Sequence, residues 1–593
     1  MPYNILEVFF HSVTFADMST TIQIEVNGRQ VDAAQGEMLL SALRRVGIDI
    51  PTLCHYEGLS PAGACRVCVV EVEGQRSLVP ACAFPVNGGM KVKTQTNRVV
   101  DARRTIVELL LADHPDDCLF CERNGNCQLR VLAESFGIRR RRFVGQREAY
   151  SVDSSGESIV RDNEKCIKCG KCVRVCDEIQ GVACIDFINR GSKTVIGTAF
   201  DEGINVSSCV NCGQCVTCCP TGALVAKSHI ERVTSALRDP GLHVVVQHAP
   251  SVSIALGEEF GFADGTDVMG KMHAVLRHLG FDAVFDTSFS ADLTIMEEAS
   301  ELVHRVNNGG VLPMFTSCSP GWIKYVETFY PQNIPNLSTC KSPQQMLGAV
   351  VKTYYAEKKN IDPKNIYSVA IMPCTAKKFE AGRPEQGRGG SQDVDAVLTT
   401  RELAQLIRRF NLDLNVQPES ADSPFGVRSS AGKIFGTTGG VMEAAVRTAY
   451  YFMTGNELEN LKVEAVRGLN GIKEAKLNIA GIEVGVAVVN GLGNAQKLLE
   501  EINVGTRTNI HFVEVMTCPG GCVGGGGQPY GTDIAKITAR TRELYNIDDM
   551  ETLRTSHTNP EIIQIYNEYL GEPNSHKAHE LLHTHYQQRE TLT

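Results

Sequence analysis

The segment Glu514-Val-Met516-Thr-Cys518-Pro-Gly-Gly-Cys522 places two cysteines among small residues and turn formers in the C-terminal half of the chain. Two segments of the same kind precede it, Thr316-Ser-Cys318-Ser-Pro-Gly-Trp322 and Met372-Pro-Cys374-Thr-Ala-Lys377-Lys-Phe-Glu380. Glycine lets a backbone approach another group closely, and proline interrupts regular structure. These segments therefore suit loops that wrap closely around an inorganic cluster.

Cysteine usage decides the broad class of the protein. Half of the 22 cysteines fall in C-x2-C units, which is metal-ligand spacing and not a disulfide framework. A reducing, cytoplasmic setting follows from that usage. The net charge of −10 argues against a nucleic-acid partner. No apolar run reaches the roughly 18 residues that span a bilayer, so we expect no membrane insertion.

The first 18 residues are expected to be an N-terminal extension. They contain no basic region of the kind that opens a secretory signal, and Met18 is a candidate for the native start. Beyond them, Ile22, Ile24 and Val26 alternate with polar residues and precede an Asn27-Gly28 turn, which predicts a hairpin. Residues 19–99 are predicted to form a β-grasp, 2Fe–2S ferredoxin-like domain. A structural zinc site is the alternative for its four cysteines, which are Cys54, Cys65, Cys68 and Cys82.

A second cluster module is predicted over residues 100–148. It contains one histidine and three spaced cysteines, a set that binds either zinc or a 4Fe–4S cluster: His114, Cys118, Cys121 and Cys127. The spacing alone does not choose between the two metals.

Residues 149–236 carry the pattern of a bacterial ferredoxin with two 4Fe–4S clusters. In this pattern the fourth cysteine of each run serves the other cluster. One centre is predicted on Cys166, Cys169, Cys172 and Cys219, and the other on Cys209, Cys212, Cys215 and Cys176. Cys184 and Cys218 are expected to be small buried thiols. Four accessory centres in series would conduct single electrons between the surface and a buried site.

From residue 237 to residue 593 the pattern changes to an α/β domain. Together with the three segments quoted first, its motifs resemble the active-site signature of the iron-only (FeFe) hydrogenases: Ala249-Pro250-Ser251, Thr294-Ile-Met-Glu-Glu298, Lys341-Ser-Pro-Gln-Gln345, Gly436-Thr-Thr-Gly-Gly440 and Val466-Arg-Gly-Leu-Asn470. The resemblance implies an H-cluster, which is a 4Fe–4S cubane joined to a diiron unit with CO, cyanide and dithiolate ligands. It also implies a helical, small-subunit-like segment from about residue 530, where we interpret His583 and His585 as structural.

The resemblance assigns roles to residues of the catalytic domain. Cys374, Cys518 and Cys522 match the cubane ligands. Lys377 and Ser251 match the donors to cyanide, and Met372 and Met516 match residues that pack beside the cluster. The implied proton path consists of Cys318, Glu298, Ser338, Glu301 and Arg305. Because Glu298 and Glu301 are three residues apart, a helix would place them on one face; a solvated helix surface is the alternative interpretation.

One position departs from the family pattern. The family has adjacent cysteines where this chain has Cys318 followed by Ser319. Three hypotheses follow for the fourth cubane ligand: Ser319 binds through oxygen, Cys318 binds and the proton path is altered, or Cys340 supplies the thiolate. A serine oxygen matches soft iron less well than a thiolate does.

The four-cluster front end resembles the large iron–sulfur subunit of complex I and the catalytic subunit of NAD(P)-linked, multisubunit and sometimes electron-bifurcating hydrogenases. In these proteins the histidine of the second module is a cluster ligand. The sequence therefore predicts a reversible hydrogenase, 2H⁺ + 2e⁻ ⇌ H₂, with ferredoxin or a flavin- and NAD(P)-binding partner and with maturation proteins for the diiron unit. This chain shows no G-x-G-x-x-G after a strand, so a nicotinamide would need another subunit. An electron-transfer subunit without hydrogen chemistry and a slow H₂ sensor are the alternatives.

Overall fold

A mixed sheet with one helix forms the N-terminal domain in the computed structural model, which describes residues 20–145, 149–479 and 481–591. The predicted extension, residues 1–18, lies outside this part of the chain. The elements of the domain are β1 (Thr21–Val26), β2 (Arg29–Ala34), α1 (Leu39–Arg45), β3 (Val69–Val72), β4 (Val79–Pro80) and β5 (Lys91–Lys93). The sheet order is β2-β1-β5-β3-β4, with β1 and β5 parallel. Positive φ angles at Asn27 and Gly28 form the β1–β2 turn, which confirms the predicted hairpin.

Two helices, α2 (Asn97–Ala112) and α3 (Gln128–Ser135), frame the next module. The Thr96 side chain caps α2 by accepting a hydrogen bond from Val99 N. On the buried side of α2, Arg103 donates two hydrogen bonds to the Val69 carbonyl, at 3.0 and 2.8 Å. This buried contact fixes the module against the first domain.

The ferredoxin-like domain consists of short strands and helices around its cysteines. They are β6 (Ile159–Arg161), α4 (Lys171–Arg174), β7 (Asp186–Ile188), β8 (Val195–Gly197), α5 (Gln214–Cys218) and β9 (Leu224–Ala226). β6 pairs with β9 and β7 with β8, both antiparallel. A left-handed glycine precedes each helix, Gly170 at φ 69° and Gly213 at φ 71°. The two halves therefore repeat the same turn from cysteine loop to helix.

The largest domain has two four-stranded sheets flanked by helices. Its elements are α6 (Ile230–Leu237), β10 (His243–His248), α7 (Pro250–Leu256), α8 (Met269–His278), β11 (Ala283–Asp286), α9 (Thr287–Asn308), β12 (Met314–Phe315), α10 (Pro320–Phe329), α11 (Pro343–Val350), α12 (Ala356–Lys359), β13 (Ile366–Met372), α13 (Ala376–Ala381), β14 (Gly387–Arg388), β15 (Ser391–Gln392), β16 (Ala396–Thr399), α14 (Thr400–Arg409), α15 (Ser430–Ile434), α16 (Gly440–Thr454), β17 (Ile472–Ile479), β18 (Ile482–Asn490), α17 (Leu492–Asn503) and β19 (Phe512–Met516). One sheet, β11-β10-β13-β16, is entirely parallel. The other, β12-β19-β18-β17, is parallel except for its β17–β18 hairpin.

The C-terminal segment contains α18 (Ile534–Met550), α19 (Pro560–Ile565) and α20 (His576–Leu582). The segment is helical, as predicted, as far as Leu582. From there the backbone is extended, because Lys341 N donates to Leu582 O at 2.7 Å and Thr584 N donates to Thr339 O at 2.8 Å. Among the described residues, no helix combines the length and the apolar character needed to cross a bilayer.

Candidate active site and cluster-binding loops

A cavity lies where the carboxyl ends of strands from the two sheets meet. Ser251 follows β10, Cys318 follows β12, Cys374 follows β13 and Cys518 follows β19. Loops at the carboxyl ends of parallel strands share one edge of a sheet, which is why segments far apart in sequence converge here. Met372 and Met516, the last residues of β13 and β19, also line the cavity.

Three of the predicted cubane ligands, Cys374, Cys518 and Cys522, line this cavity together. Burial raises the pKa of the Cys374 thiol and raises that of Cys522 to about 12. The loop between the last two cysteines turns through Gly521 at φ 93°, where a Cβ atom would lie 2.7 Å from Thr438 N. Buried thiols grouped in this way suit soft iron. Their assignment as ligands remains a prediction.

Two polar side chains point into the same cavity. Ser251 Oγ is buried and has no hydrogen-bond partner among the described residues. Lys377 Nζ donates to the Cys318 carbonyl at 3.1 Å and to Glu380 Oε2 at 2.9 Å. An unpaired buried hydroxyl is costly unless a ligand satisfies it. These donors and the three thiols therefore fit a cluster that carries anionic ligands.

The Ser319 position is part of the cavity wall, whereas Cys340 is not among the residues that line it. The Ser319 hydroxyl hydrogen-bonds Thr517 Oγ1 at 2.8 Å and accepts from Thr517 N at 3.3 Å. Cys340 is fully buried elsewhere, with its thiol 3.8 Å from Glu301 Oε2. The geometry therefore disfavours Cys340 as the missing ligand.

A row of polar groups leads from the cavity toward the surface. Cys318 lines the cavity, and burial raises the pKa of its thiol well above the usual range. Glu298 is fully buried on α9; burial, reinforced by Glu301, raises its pKa to about 8. Neither oxygen of Glu298 has a hydrogen-bond partner of normal geometry among the described residues. The alternative of a solvated helix surface is therefore wrong at this residue.

The outer half of the row is connected by direct hydrogen bonds. Ser338 Oγ donates to Glu301 Oε2 at 2.8 Å, and Arg305 Nη2 donates to Glu301 Oε1 at 2.6 Å. Glu301 and Arg305 lie on adjacent turns of α9, and 11% of the Arg305 side chain is exposed to solvent. Ser338, Glu301 and Arg305 are thus connected in the order that the resemblance implied. Their role in proton transfer is a prediction.

The four cysteines of the first domain come together at its edge. Cys65 N donates to Cys54 Sγ at 3.5 Å, and the Cys68 and Cys82 sulfurs are 3.3 Å apart. In the next module, Cys118 is exposed, whereas His114, Cys121 and Cys127 are half-buried. Burial raises the pKa of Cys121, and the neighbouring Cys127 contributes to the rise.

Two further cavities match the predicted exchange of ligands between the cysteine runs of the ferredoxin-like domain. One is lined by Cys166, Cys169, Cys172 and Cys219, and the other by Cys176, Cys209, Cys212 and Cys215. Cys218 is buried outside both cavities, with its thiol 3.4 Å from Cys215 O. Cys184 differs from expectation: it lines the second cavity, with its sulfur 3.6 Å from Cys176 Sγ. It is a fifth thiol at that site and not an isolated apolar residue.

The packing of the cysteines favours a branched arrangement of the accessory sites over the predicted series. One apolar cluster contains Cys54 and Cys65 of the first domain, has Cys127 of the second module packed against it, and includes Cys169 of the ferredoxin-like domain. Two sites therefore meet a third. At the other end, Cys212 lines both its own cavity and the large one. We interpret this packing as a fork: the first and second sites both adjoin the third, and one path then continues through the second ferredoxin cavity to the large cavity.

Several site residues carried no role in the sequence analysis. Glu380 fixes Lys377 and also accepts from Ser342 Oγ and Gln344 Nε2, at 2.8 and 3.1 Å. Gln528 Nε2 donates to the Ser251 and Cys522 carbonyls, at 3.1 and 3.3 Å. The spacing of Lys377 and Glu380 on α13 is a local signal that could have revealed the first anchor. Nothing local in the sequence indicates the second.

Comparison with family models gives matches along most of the chain. The model described as "Iron only hydrogenase large subunit, C-terminal domain" matches residues 242–526, and "Iron hydrogenase small subunit" matches residues 534–589. A "2Fe-2S iron-sulfur cluster binding domain" matches residues 19–97. The "NADH-ubiquinone oxidoreductase-G iron-sulfur binding region" matches residues 103–142, and "NADH-quinone oxidoreductase subunit 3, ferredoxin-like domain" matches residues 156–225. These matches confirm the predicted order of domain types.

Individual relatives and structures agree with these matches. The chain is 48% identical to the "NADP-reducing hydrogenase subunit HndD" of Solidesulfovibrio fructosivorans, over 96% of this chain and 100% of that protein. It is 42% identical to "Iron hydrogenase 1" of Clostridium pasteurianum, over 95% and 99% of the two chains. A solved structure of a variant of the apo [FeFe]-hydrogenase HydA1 from Chlamydomonas reinhardtii is 46% identical, with a TM-score of 0.55, covering 61% of this chain and 99% of that one.

Proposed function

This chain belongs to the iron-only hydrogenase family and is an FeFe-hydrogenase, and from that premise we propose that it links H₂ to NAD(P) through a multisubunit complex. Similarity to two hydrogenases along nearly the whole chain argues against the alternative of an electron carrier without hydrogen chemistry. The observation that carries the proposal is the convergence of Cys374, Cys518 and Cys522 in one cavity, with Cys318 at its wall. In the proposal, electrons reach this cavity through the accessory iron–sulfur sites, and protons reach it along the polar side chains from Arg305 to Cys318.

Five metal centres are proposed for the chain. They are one 2Fe–2S cluster, three accessory 4Fe–4S clusters and the H-cluster, which when bound supplies the iron where H₂ is formed or split. Cys374, Cys518 and Cys522 would hold the cubane part. Lys377 and Ser251 would donate hydrogen bonds to the cyanides, for which the unpaired Ser251 hydroxyl is positioned.

Protons move along side chains of this chain in the proposal. The Cys318 thiol exchanges a proton with the cavity, and Glu298 receives or delivers it from the protein side. Because burial keeps Glu298 uncharged at neutral pH, it can hold a proton where a carboxylate would be costly. Ser338 and Glu301 continue the path to Arg305 at the surface.

Ser319 is the proposed fourth ligand of the cubane. It lies on the cavity wall beside the three cysteines, and Thr517 holds its hydroxyl in place. Replacing Ser319 with Ala should lower the iron content of the reconstituted protein, whereas Ser319→Cys should retain the iron and raise the reduction potential of the cubane, since a thiolate donates to iron less strongly than an alkoxide. Cys340→Ala is the matched control and should retain the iron. Equal iron in Ser319→Ala and the unmodified chain would refute the assignment.

We propose that the electron partner is a flavin- and NAD(P)-binding subunit and that ferredoxin is a second electron carrier. In an electron-bifurcating mode, the complex would divide electrons between these two carriers. The relative named as an NADP-reducing hydrogenase subunit supports this, since it aligns over its full length. We propose the cytoplasm as the location of the complex, because the C-x2-C spacing of the cysteines indicates metal ligands and not a disulfide framework. Affinity capture from native extract, followed by NADP⁺ reduction under H₂, tests the proposal. A chain recovered alone, and inactive with NADP⁺ or NAD⁺, would refute it.

Turnover itself is tested with the chain loaded with its diiron unit and supplied with a reduced viologen dye. We expect rapid H₂ evolution from the unmodified chain and its loss in Cys318→Ala. Infrared bands of CO and cyanide would show that the variant still holds the cluster. A fully loaded but nearly inactive unmodified chain would instead favour the H₂-sensor alternative.

A further inference from the structure

Three side chains that bind metals well meet outside the large cavity, and one of them, Glu301, belongs to the proposed proton path. Glu301 comes from α9, Cys340 from the loop before α11, and His583 from the extended segment after α20. One ligating atom of each lies within 4.8 Å of the others. Cys340 and His583 are buried, and the backbone bridge between them fixes their mutual position.

The chemistry of the three groups is that of a zinc site. Thiolate, imidazole and carboxylate are the ligands that Zn²⁺ prefers, with ligand atoms about 3.4–3.8 Å apart in a tetrahedral site. The Cys340 sulfur and Glu301 Oε2 are already 3.8 Å apart. Side-chain shifts of about 1 Å would therefore bring all three ligands to bonding distance.

His583 is oriented as metal-binding histidines are. Its Nε2 lies 3.0 Å from Glu297 Oε2, and Tyr566 OH and Asn574 N also donate to that carboxylate. An ionised carboxylate only accepts hydrogen bonds, so Nε2 carries the proton and Nδ1 holds the lone pair. Nδ1 accepts a hydrogen bond from Thr339 Oγ1 at 2.8 Å, and that oxygen is 3.5 Å from Glu301 Oε2, so a bound cation would take the place of this hydroxyl. A carboxylate that accepts from the distal nitrogen strengthens a histidine ligand.

Charge also favours a divalent cation. Glu301 and Glu297 are acidic, and Arg305 is the cation that pairs with Glu301 Oε1. Zn²⁺ would displace the thiol proton of Cys340, and the ion with that thiolate and Glu301 would then be neutral. The positive charge of Arg305 would offset Glu297. A buried site without net charge avoids the large cost of an isolated buried ion.

Access from solvent is provided by a second histidine. His579 on α20 is exposed, and its ring stacks on that of His583 with centroids 4.0 Å apart. A cation can bind this exposed imidazole first and pass to the buried one. An access route of this kind is a requirement for a metal site inside a folded protein.

We propose that Glu301, Cys340 and His583 form a binding site for a soft divalent cation, with Zn²⁺ as its probe, and that the bound ion blocks proton transfer at Glu301. The blocking part rests on the proposed function, because it requires Glu301 to carry protons. The binding part does not. Occupation would take Glu301 Oε2 away from Ser338, the preceding group in the path.

The binding test uses the cluster-loaded chain, equilibrated anaerobically with Zn²⁺, desalted, and analysed for zinc by mass spectrometry. The unmodified chain should retain about one zinc more than Cys340→Ala or His583→Gln, with one Zn–S distance of about 2.3 Å in X-ray absorption. Glu297→Gln should weaken binding by about 10–100-fold. His585→Gln is the matched control, since His585 is exposed on the same segment, and it should bind as the unmodified chain does. Equal zinc in Cys340→Ala, His583→Gln and the unmodified chain would overturn the site.

The blocking test measures dye-driven H₂ evolution with and without Zn²⁺. Zinc should slow the unmodified chain by roughly 10²-fold or more, the usual contribution of a positioned acid–base group, and leave Cys340→Ala unaffected. Bound zinc with undiminished turnover would overturn the blocking part and leave the site intact. If the chain showed no turnover before zinc was added, the proposed function would be refuted. The number of zinc ions bound per chain would still show whether the site exists.

Discussion

Thr375 Oγ1 donates a 2.7 Å hydrogen bond to the Asn211 carbonyl, which joins the residue after Cys374 to the residue before Cys212. The contact connects the large cavity to the second cavity of the ferredoxin-like domain. Close packing surrounds it, since a Cβ at Gly526 would lie 2.2 Å from Cys212 O, and Gln214 Nε2 donates to Gly524 O at 3.0 Å. The two domains are therefore held in register at the point where an electron would cross in the proposed path.

Replacing Thr375 with Val keeps the shape of the side chain and removes this hydrogen bond. We expect dye-driven H₂ evolution to fall by roughly threefold to tenfold, because losing a neutral hydrogen bond of about 1 kcal/mol loosens the crossing. Exchange of H₂ with deuterons, which needs no electron from the accessory clusters, should be unchanged. Thr234→Val is the control: its hydroxyl donates to Ile230 O at 2.7 Å in α6, away from the cavity. A parallel loss of exchange and evolution would show that the variant damages the active site and not the crossing.

Removing the Ser251 hydroxyl tests what the cavity holds. Because Ser251 Oγ has no partner among the described residues, Ser251→Ala should change the stability of the cluster-free chain by less than about 0.5 kcal/mol. In the loaded chain, the variant should shift a cyanide stretching band in the infrared spectrum. Ser429→Ala is the contrast. Ser429 caps α15 and donates to buried Asp292, so its loss should cost about 1–2 kcal/mol. Unshifted bands in Ser251→Ala would refute its role as a donor to cyanide.

Local features of the fold could be predicted from the sequence. The alternation at Ile22, Ile24 and Val26 indicated β1, and the exchange of cysteines between Cys176 and Cys219 followed from spacing within each run. Both depend on residues that are neighbours along the chain. The convergence of the three catalytic segments came from family resemblance, since no local pattern reports that two sheets share an edge.

Long-range packing accounts for what the sequence did not indicate. The fork depends on Cys54, Cys127 and Cys169 meeting in one apolar cluster, although they belong to three domains. The position of Cys340 depends on the extended C-terminal segment that pairs with it. The three-residue separation of Glu298 and Glu301 predicted that both lie on one face of α9. Whether that face is buried depends on the helices that pack against it.

The protonation of Glu298 predicts a pH dependence. Its pKa is raised to about 8, chiefly by burial, so the carboxyl group is protonated below that pH and ionised above it. H₂ evolution should therefore fall as pH rises through about 8. Glu298→Gln should lose about 10²–10⁴-fold in turnover, and Glu298→Asp should retain part of it. Infrared spectra should show an intact cluster in both variants.

Stability provides an independent check on the same residue. In the unfolded chain a glutamate has a pKa of about 4.3, so between that pH and about 8 the unfolded state ionises while the native state stays protonated. The contribution of Glu298 to stability is thus fully present below about pH 4 and is lost as pH rises through 8. The melting temperature of Glu298→Gln relative to the unmodified chain should increase over this interval. A difference that does not vary with pH would contradict the raised pKa.

The fork in the accessory path predicts that its two arms substitute for each other. Cys82→Ala should remove the first cluster and Cys121→Ala the second, since both residues lie outside the shared apolar cluster around Cys169. Each single variant should keep dye-driven H₂ evolution within a factor of about three, and the double variant should lose far more than the product of the two effects, because parallel routes are not additive. Iron analysis and electron paramagnetic resonance would confirm that one cluster is missing in each single variant. If either single variant alone abolished turnover while H₂–deuteron exchange persisted, the missing cluster would be an obligatory step and the path would be linear.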